Sequence, residues 1–269
     1  MADSYISVTN TDALVVPVKA ATVYAAMERS LFLGGELIPV VNAPNGVLQV
    51  PELAEVSAST ISGGGITTDV AITNPADTKN TITCDLFAAR SVVRDLGAID
   101  PQEIGRMLGM SVAKAFDQAV YTALDSATAS TADSVPLSVD DIFDSVAQIR
   151  GNGETGRLFG VLTPAEAAVV LKEIGTAAYA GSDMFQAEAL RSGMIGSLAG
   201  VQFFVSSYIT TANTAGYIFG EDALRIAMQK NVDVEVARRA EAVGWDTVAS
   251  LHAAVGLIDA GRAVKLINV

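Results

Sequence analysis

Four features of this 269-residue chain have residue types and spacing that could do chemistry: a glycine run, one cysteine, one histidine and a cluster of aspartates. Gly151-Asn152-Gly153-Glu154-Thr155-Gly156 has the G-x-G-x-x-G spacing of a dinucleotide-binding loop, in which bare backbone approaches a pyrophosphate. That chemistry needs a strand before the glycines and a helix N-terminus after them, so that helix amides meet the anion. Here a helical pattern precedes and a strand pattern follows, so the glycines read as a helix stop and a reversing loop. Cys84 lies in Thr81-Ile82-Thr83-Cys84-Asp85-Leu86-Phe87, a strand-like stretch where a thiol acts as a small buried hydrophobe rather than a nucleophile. His252 lies in the apolar strand pattern Ser250-Leu251-His252-Ala253-Ala254-Val255. With no second histidine and no cysteine nearby, a metal site or a histidine-activated nucleophile has little to build on. Asp140, Asp141 and Asp144 sit at a helix start, where carboxylates offset the macrodipole. Trp245, the sole tryptophan, reads as a packing anchor. The expectation is therefore no catalytic residue, no cofactor-binding residue and no metal ligand, and a protein that is not an enzyme.

The elements that would position these residues are organised around one long helix. Asp100 reads as its N-cap, Pro101 as its first helical position and Glu103 as the third, a capping box strengthened by proline. From there to about Ala127, apolar or small residues recur at Ile104, Met107, Leu108, Ser111, Val112, Ala115, Phe116, Ala119, Val120, Ala123 and Leu124, one stripe at helical spacing. At about 1.5 Å per residue such a helix runs on the order of 40 Å, the length of a strut. Ahead of it, Thr11 to Leu33 reads as an amphipathic helix with Val18, Ala21, Tyr24, Ala25 and Leu31 on one side, ended by Gly34-Gly35. Residues 36–94 lose helical spacing. Asn42 to Gly46 makes a turn, Val47 to Val50 and Val70 to Thr73 are strands, Ser62 to Gly65 and Asn74 to Asp77 are breaks, and Thr81 to Val93 is a return strand. With few large apolar groups, this stretch cannot bury a core alone and needs a neighbour.

After the long helix, Ser126 to Val135 is a linker of small residues, and Ser138 with Asp141 caps a helix through Ile149. A strand over Arg157 to Leu162, a helix opened by Thr163-Pro164 and stopped by Gly175, and a loop over residues 176–193 follow. Strands are expected at Val201 to Ser206, Tyr217 to Phe219, Val232 to Ala237, Thr247 to Leu257 and Ala263 to Ile267. Helices and strands interleave without the period of a doubly wound sheet, so the class is α+β.

Composition sets the outer bounds. Half the chain is hydrophobic, enough for a sizeable core, and the formal charge of −13 comes from 30 acidic against 17 basic residues with no basic stripe. Nucleic-acid gripping depends on clustered Lys and Arg, so direct DNA binding is disfavoured. One cysteine rules out an internal disulfide and gives no zinc spacing, which fits a reducing compartment. Met1 to Ser4 lacks the features of a secretory signal, and no apolar run reaches membrane-spanning length.

Two stretches carry a resemblance. Arg191 to Ser206, with glycines at 193, 196 and 200 ahead of a strand, resembles a segment of the major capsid proteins of tailed bacteriophages. Gly244 to Asp259 followed by Gly261-Arg262-Ala263-Val264-Lys265-Leu266 resembles the C-terminal strands of the same proteins. The order of elements agrees too. The resemblance implies the Hong Kong 97 capsid fold: an N-terminal arm at 1–34, an extended β-hairpin E-loop at 35–94, and a spine helix with the first part of the P-domain at 95–130. An A-domain at 131–235 and return strands of the P-domain at 236–269 complete it.

The function so implied is that of a structural subunit assembling with itself, as pentamers and hexamers, into an icosahedral virion shell in the host cytoplasm. Portal and scaffolding proteins would be its partners, with double-stranded DNA packaged without specific recognition and no membrane involved. Nothing ahead of the arm reads as a scaffold domain, so a scaffold is expected on another polypeptide. Some members of the family lock the shell by an isopeptide bond between an E-loop lysine and a neighbour's asparagine, assisted by a glutamate. Between Lys19 and Lys114 this chain offers only Lys79, with Asp77 favouring its charged form, so noncovalent locking is expected. Two rivals stand beside this reading. One is an encapsulin-type nanocompartment shell, which would show the same succession of elements; the other is a soluble mixed α/β enzyme, which predicts a polar pocket with perturbed ionisable groups.

Overall fold

A computed structural model describes residues 8–53, 77–94, 101–130, 137–174, 196–241 and 243–268. The expected strand at Val70 to Thr73, the breaks at Ser62 to Gly65 and at Asn74 to Ala76, the cap Asp100 and the loop at 176–193 lie outside the described residues. The long helix is present as α2, Pro101–Leu124, and packs across a second helix, α1, Val8–Arg29. Helix α1 ends before Gly34-Gly35 because Ser30 takes over the chain direction: its hydroxyl oxygen accepts the amides of Phe32 (3.2 Å) and Leu33 (3.1 Å). Of the side chains expected on its inner face, Val18 and Ala25 are buried, whereas Tyr24 is 69% exposed.

Four strands form the sheet that α2 covers: β1 (Val40–Asn42), β4 (Asp85–Arg94), β10 (Leu224–Arg239) and β11 (Gly244–Leu257), in the order β1-β10-β11-β4. Strand β10 begins eight residues before the expected Val232. Its ladder with β11 is irregular between Met228 and Asp233, which breaks the alternation that marks a strand in sequence. The expected return strand is divided at Cys84. Its first part, β3 (Asp77–Thr83), pairs with β2 (Val47–Leu53) in a two-stranded arm, and its second part is β4.

The second large sheet has six strands: β5 (Thr128–Ser130), β6 (Leu158–Leu162), β7 (Ser197–Leu198), β8 (Val201–Val205), β9 (Thr214–Gly220) and β12 (Ala263–Ile267), ordered β5-β12-β9-β6-β8-β7. Strand β5 falls in what reads as a small-residue linker; its parallel pairing with β12, rather than propensity, makes it a strand. The glycine-spaced segment ahead of β8 turns β7 back onto β8, with Ala199 and Gly200 both at positive φ, as a tight two-residue hairpin requires. Helices α3 (Val139–Gly151) and α4 (Pro164–Ile174) cover one face of this sheet. Leu158, Leu162, Ile218 and Val264 point toward them, while Phe159, Tyr217 and Phe219 point to the other face and join the core under α1 and α2. Both faces being covered explains why β6 and β9 are buried at every residue.

On α2 the core takes more than one stripe. Ile104, Leu108, Val112, Phe116, Val120 and Leu124 are buried as expected, but Met107 is 61% exposed, and Ser111 and Ala115 also face out. In their place Gly105, Gly109, Ala113 and Asp117 are buried. A Cβ on Gly105 would stand 2.6 Å from the carbonyl oxygen of Val18, and one on Gly109 only 2.3 Å from that of Thr22. Glycine at these two positions lets the α1 backbone lie directly on α2.

Candidate assembly interface

None of the residues singled out for chemistry is brought to another. The six-residue glycine motif closes α3 at Gly151 and leads to β6, with Gly153 at positive φ, so no helix N-terminus faces it. Glu154 within it is buried: one carboxylate oxygen accepts the Gly156 amide at 2.7 Å, and the side chain packs where a Cβ on Gly220 would stand. Cys84 is half-buried at the β3–β4 break, its thiol 3.6 Å from the Ala227 carbonyl, and burial pushes its pKa up, away from a reactive thiolate. His252 is a strand residue of β11 between Lys230 and Leu86. Asp141 completes a capping box with Ser138, accepting the Ser138 amide at 2.9 Å. Trp245 is not a core anchor. It lies at the end of β11, half-exposed, with the Arg238 guanidinium 5.2 Å from its ring centre, an arrangement in which the cation rather than a hydrophobic core covers the indole. No cluster of three or more metal-ligating side chains and no helix long and apolar enough to cross a membrane is found among the described residues.

The clefts are shallow and built from structural groups. One of about 370 Å³ lies between the chain after α1 and β6, lined by Leu37, Pro39, Arg157, Phe159 and Glu221; Arg157 and Glu221 pair there at 3.1 Å. Another of about 460 Å³ lies between the arm's base, α2 and β11, and is lined mainly by Ile82, Phe87, Ala119 and Val255.

The polar groups with displaced proton equilibria are joints between elements. Asp117 is fully buried on α2, and desolvation pushes its carboxyl up to about 6 against the opposing pull of the Ser30 hydroxyl (2.5 Å) and the Leu31 amide (3.3 Å), which donate to it. This clasp fixes the chain leaving α1 to the middle of α2. Asp125, just past the end of α2, accepts from Tyr217 and Thr211, both at 2.8 Å, and pairs with Lys265 at 2.7 Å. Burial would raise its pKa, but these partners outweigh burial and hold it below the usual carboxylate range. The helix is thereby tied to β9 and β12. Asp233 on β10 pairs with Lys19 of α1 at 2.6 Å and with Lys230 at 2.9 Å, which hold it far below that range. None of these joints was signalled by a motif, although Gly105-x-x-x-Gly109 inside α2 is a readable sign of close helix approach.

The feature with the geometry of an interface is the arm β2–β3. Its base folds over the face of the four-stranded sheet turned away from α2. Ile82 packs on Ala43, Ala227 and Ala254 and occupies the space where a Cβ on Gly256 would stand, and the Asn80 amide donates to the Ile258 carbonyl at 3.2 Å. On the opposite face of the ribbon Val47 is 42% exposed and Gln49 faces solvent, as do Pro51 and Lys79 past the anchor. A two-stranded ribbon is marginal in water on its own, so burial of its solvent-facing side against another surface would complete it.

No protein-family model and no curated protein sequence matches the chain. Solved structures do. A capsid chain of the cyanophage P-SCSP1u superposes with a TM-score of 0.68 at 16% identity, over 89% of this chain and 88% of that one. A chain from Mycobacterium phage Che8 does so with 0.67 at 18% identity, over 82% and 84%. A virus-like particle from Pyrococcus furiosus gives 0.66 at 14% identity, over 94% and 98%. At these identities the likeness is one of fold: the chain has the fold of phage capsid subunits, the Hong Kong 97 type.

Proposed function

We propose, from that shared fold, that the chain is the major capsid subunit of a tailed bacteriophage, a structural protein that assembles with itself into the icosahedral shell around double-stranded DNA. The observation that carries this reading is the extent of the likeness, which spans 89% of this chain and 88% of the cyanophage capsid chain, and 94% and 98% for the virus-like particle. In this reading residues 1–34 act as the N-terminal arm and 35–94 as the E-loop. Residues 95–130 form the spine helix and first part of the P-domain, 131–235 the A-domain, and 236–269 the returning P-domain strands. The chain works without a cofactor and is not an enzyme. Its net charge of −13 suits an inner wall that holds packaged DNA loosely, because few cations are available to displace counterions from phosphate. Portal and scaffolding partners belong to the same proposal, as does assembly in the host cytoplasm.

The experiment is size-exclusion chromatography with negative-stain microscopy of the expressed chain. Closed shells are expected; a small discrete oligomer would refute the proposal and favour the enzyme reading. Replacing Val47 to Lys79 with a short glycine linker removes all of β2 and the start of β3, and should leave a folded subunit that closes no shells. Noncovalent locking predicts one band at the chain mass of 27.8 kDa when particles are boiled in detergent and reductant; a ladder that vanishes in Lys79→Ala would overturn it. A second reading, a nanocompartment shell, is favoured by the likeness to the Pyrococcus furiosus particle across almost its whole chain. Purified particles holding protein rather than DNA would select it.

A further inference from the structure

Strand β4 ends the four-stranded sheet, and among the described residues no strand pairs with its outer side. The other sheet-ending strands of the two large sheets are short: three residues in β1 and β5, two in β7. Strand β4 has ten residues, contains no proline, and pairs with β11 from Asp85 to Arg94 without a register shift. Long, regular edges are where another chain can add a strand, and proteins usually blunt them with bulges, proline or charge. Here the outward-facing row is Leu86, Ala88, Arg90 and Val92. Leu86 is 60% and Val92 39% exposed, and the Arg90 guanidinium is turned inward to both oxygens of Asp246 on the neighbouring strand.

We propose that β4 pairs antiparallel with β4 of a second copy of this chain, about a two-fold axis normal to the sheet at Ala89, so that the two sheets become continuous. Such an axis keeps equivalent faces on the same side, so residues opposite each other are an even number apart in sequence. Centred at Ala89 it sets Leu86 opposite the second copy's Val92, twice, and Arg90 opposite Ala88. Moved to Arg90 it would set that arginine against itself; moved to Ala88 it would set Arg90 against Leu86. The Ala89 register therefore covers both exposed apolar side chains with each other and leaves no like charges opposed. A second copy is the fitting occupant because the strand is complementary to itself under this operation. The contact stands apart from the shell reading, within which it would be a two-fold contact.

The test uses the full chain with Cys84→Ser as background. Leu86→Cys with Val92→Cys, oxidised and run without reductant, should migrate at about twice the chain mass of 27.8 kDa and return to it on reduction. The two positions lie roughly 20 Å apart along one strand and cannot join within a chain. Leu86→Cys with Ala88→Cys, out of register, should not cross-link. The absence of a dimer band in the first pair, an equal band in the second, or a band in Leu86→Cys with Gln49→Cys, which would give the edge to another copy's arm, each overturns the proposal. Leu86→Lys, at a position too exposed to affect folding, should weaken dimer association at least about tenfold; unchanged association overturns it as well. Cross-linked dimers without closed shells would keep this contact and remove the shell reading, and closed shells without the cross-link would do the reverse.

Discussion

Substituting Gly109 by alanine sets two physical effects of opposite sign against each other, and the structure decides which wins. In an isolated helix Gly→Ala stabilises by about 1 kcal/mol, because alanine has less backbone freedom to lose. In α2 the added methyl would stand 2.3 Å from the Thr22 carbonyl oxygen and 3.1 Å from the Ala25 Cβ. The first of these is backbone inside a helix and cannot rotate away, so α1 must move by roughly 1 Å, loosening the packing around Ala25 and Ala26. Overpacking of this kind costs ~1–3 kcal/mol, with the upper part of that range where backbone must shift, so a net loss of about 1–2 kcal/mol is expected once the propensity gain is subtracted. Gly105→Ala meets the Val18 carbonyl at 2.6 Å and should behave alike. One displacement of α1 relieves both clashes, so the double variant should lose clearly less than the sum of the singles. Gly151→Ala, at an exposed helix end with nothing within 4 Å of the added carbon, is the control and should be neutral or gain a few tenths of a kcal/mol. Urea unfolding of the unassembled subunit, followed by far-ultraviolet circular dichroism, reads all four. A Gly109→Ala subunit at least as stable as the parent would refute the close approach of the two helices.

The joints and the core set three further outcomes. Asp117 titrates near 6 when folded and near the ordinary carboxylate value when unfolded, so its contribution is fully present below about pH 4 and is lost as pH rises through 6. The stability of the parent relative to Asp117→Asn should therefore fall by up to about 3 kcal/mol between those limits, and a flat difference would refute the buried carboxyl. Asp233 runs the other way: held low by Lys19 and Lys230, it contributes above the ordinary carboxylate range, and its advantage over Asp233→Asn should shrink as acid protonates it. Urea midpoints of the two pairs across pH should thus move in opposite directions. Phe116, fully buried and edge-to-face with Phe87 at 5.8 Å, cannot accept a charge; Phe116→Asp should cost several kcal/mol and yield no soluble subunit, and shells from that variant would overturn the assignment of the core face.

Most of the succession of elements is legible in the sequence, because its signals are local. Pro101 and Glu103 open α2, Ser138 and Asp141 cap α3, Gly151 to Gly156 close it, and short-range periodicity marks β6, β8 and β12. Those signals were also enough to dismiss the dinucleotide loop, since order along the chain is visible without coordinates. The tertiary structure alone decided what the helices face. Met107 has the spacing of a core residue yet lies outside, because α1 and not the sheet claims the adjoining side of α2, and it does so through Gly105 and Gly109, which hydrophobic periodicity scores as neutral. Asp117 looks like a solvated helix residue until Ser30, 87 positions away, is placed on it. Likewise β4 becomes a sheet edge only once β11 has paired with it on one side and nothing among the described residues on the other. Contacts between distant segments depend on which surfaces the whole chain brings together, and neither the spacing nor the type of a residue records that.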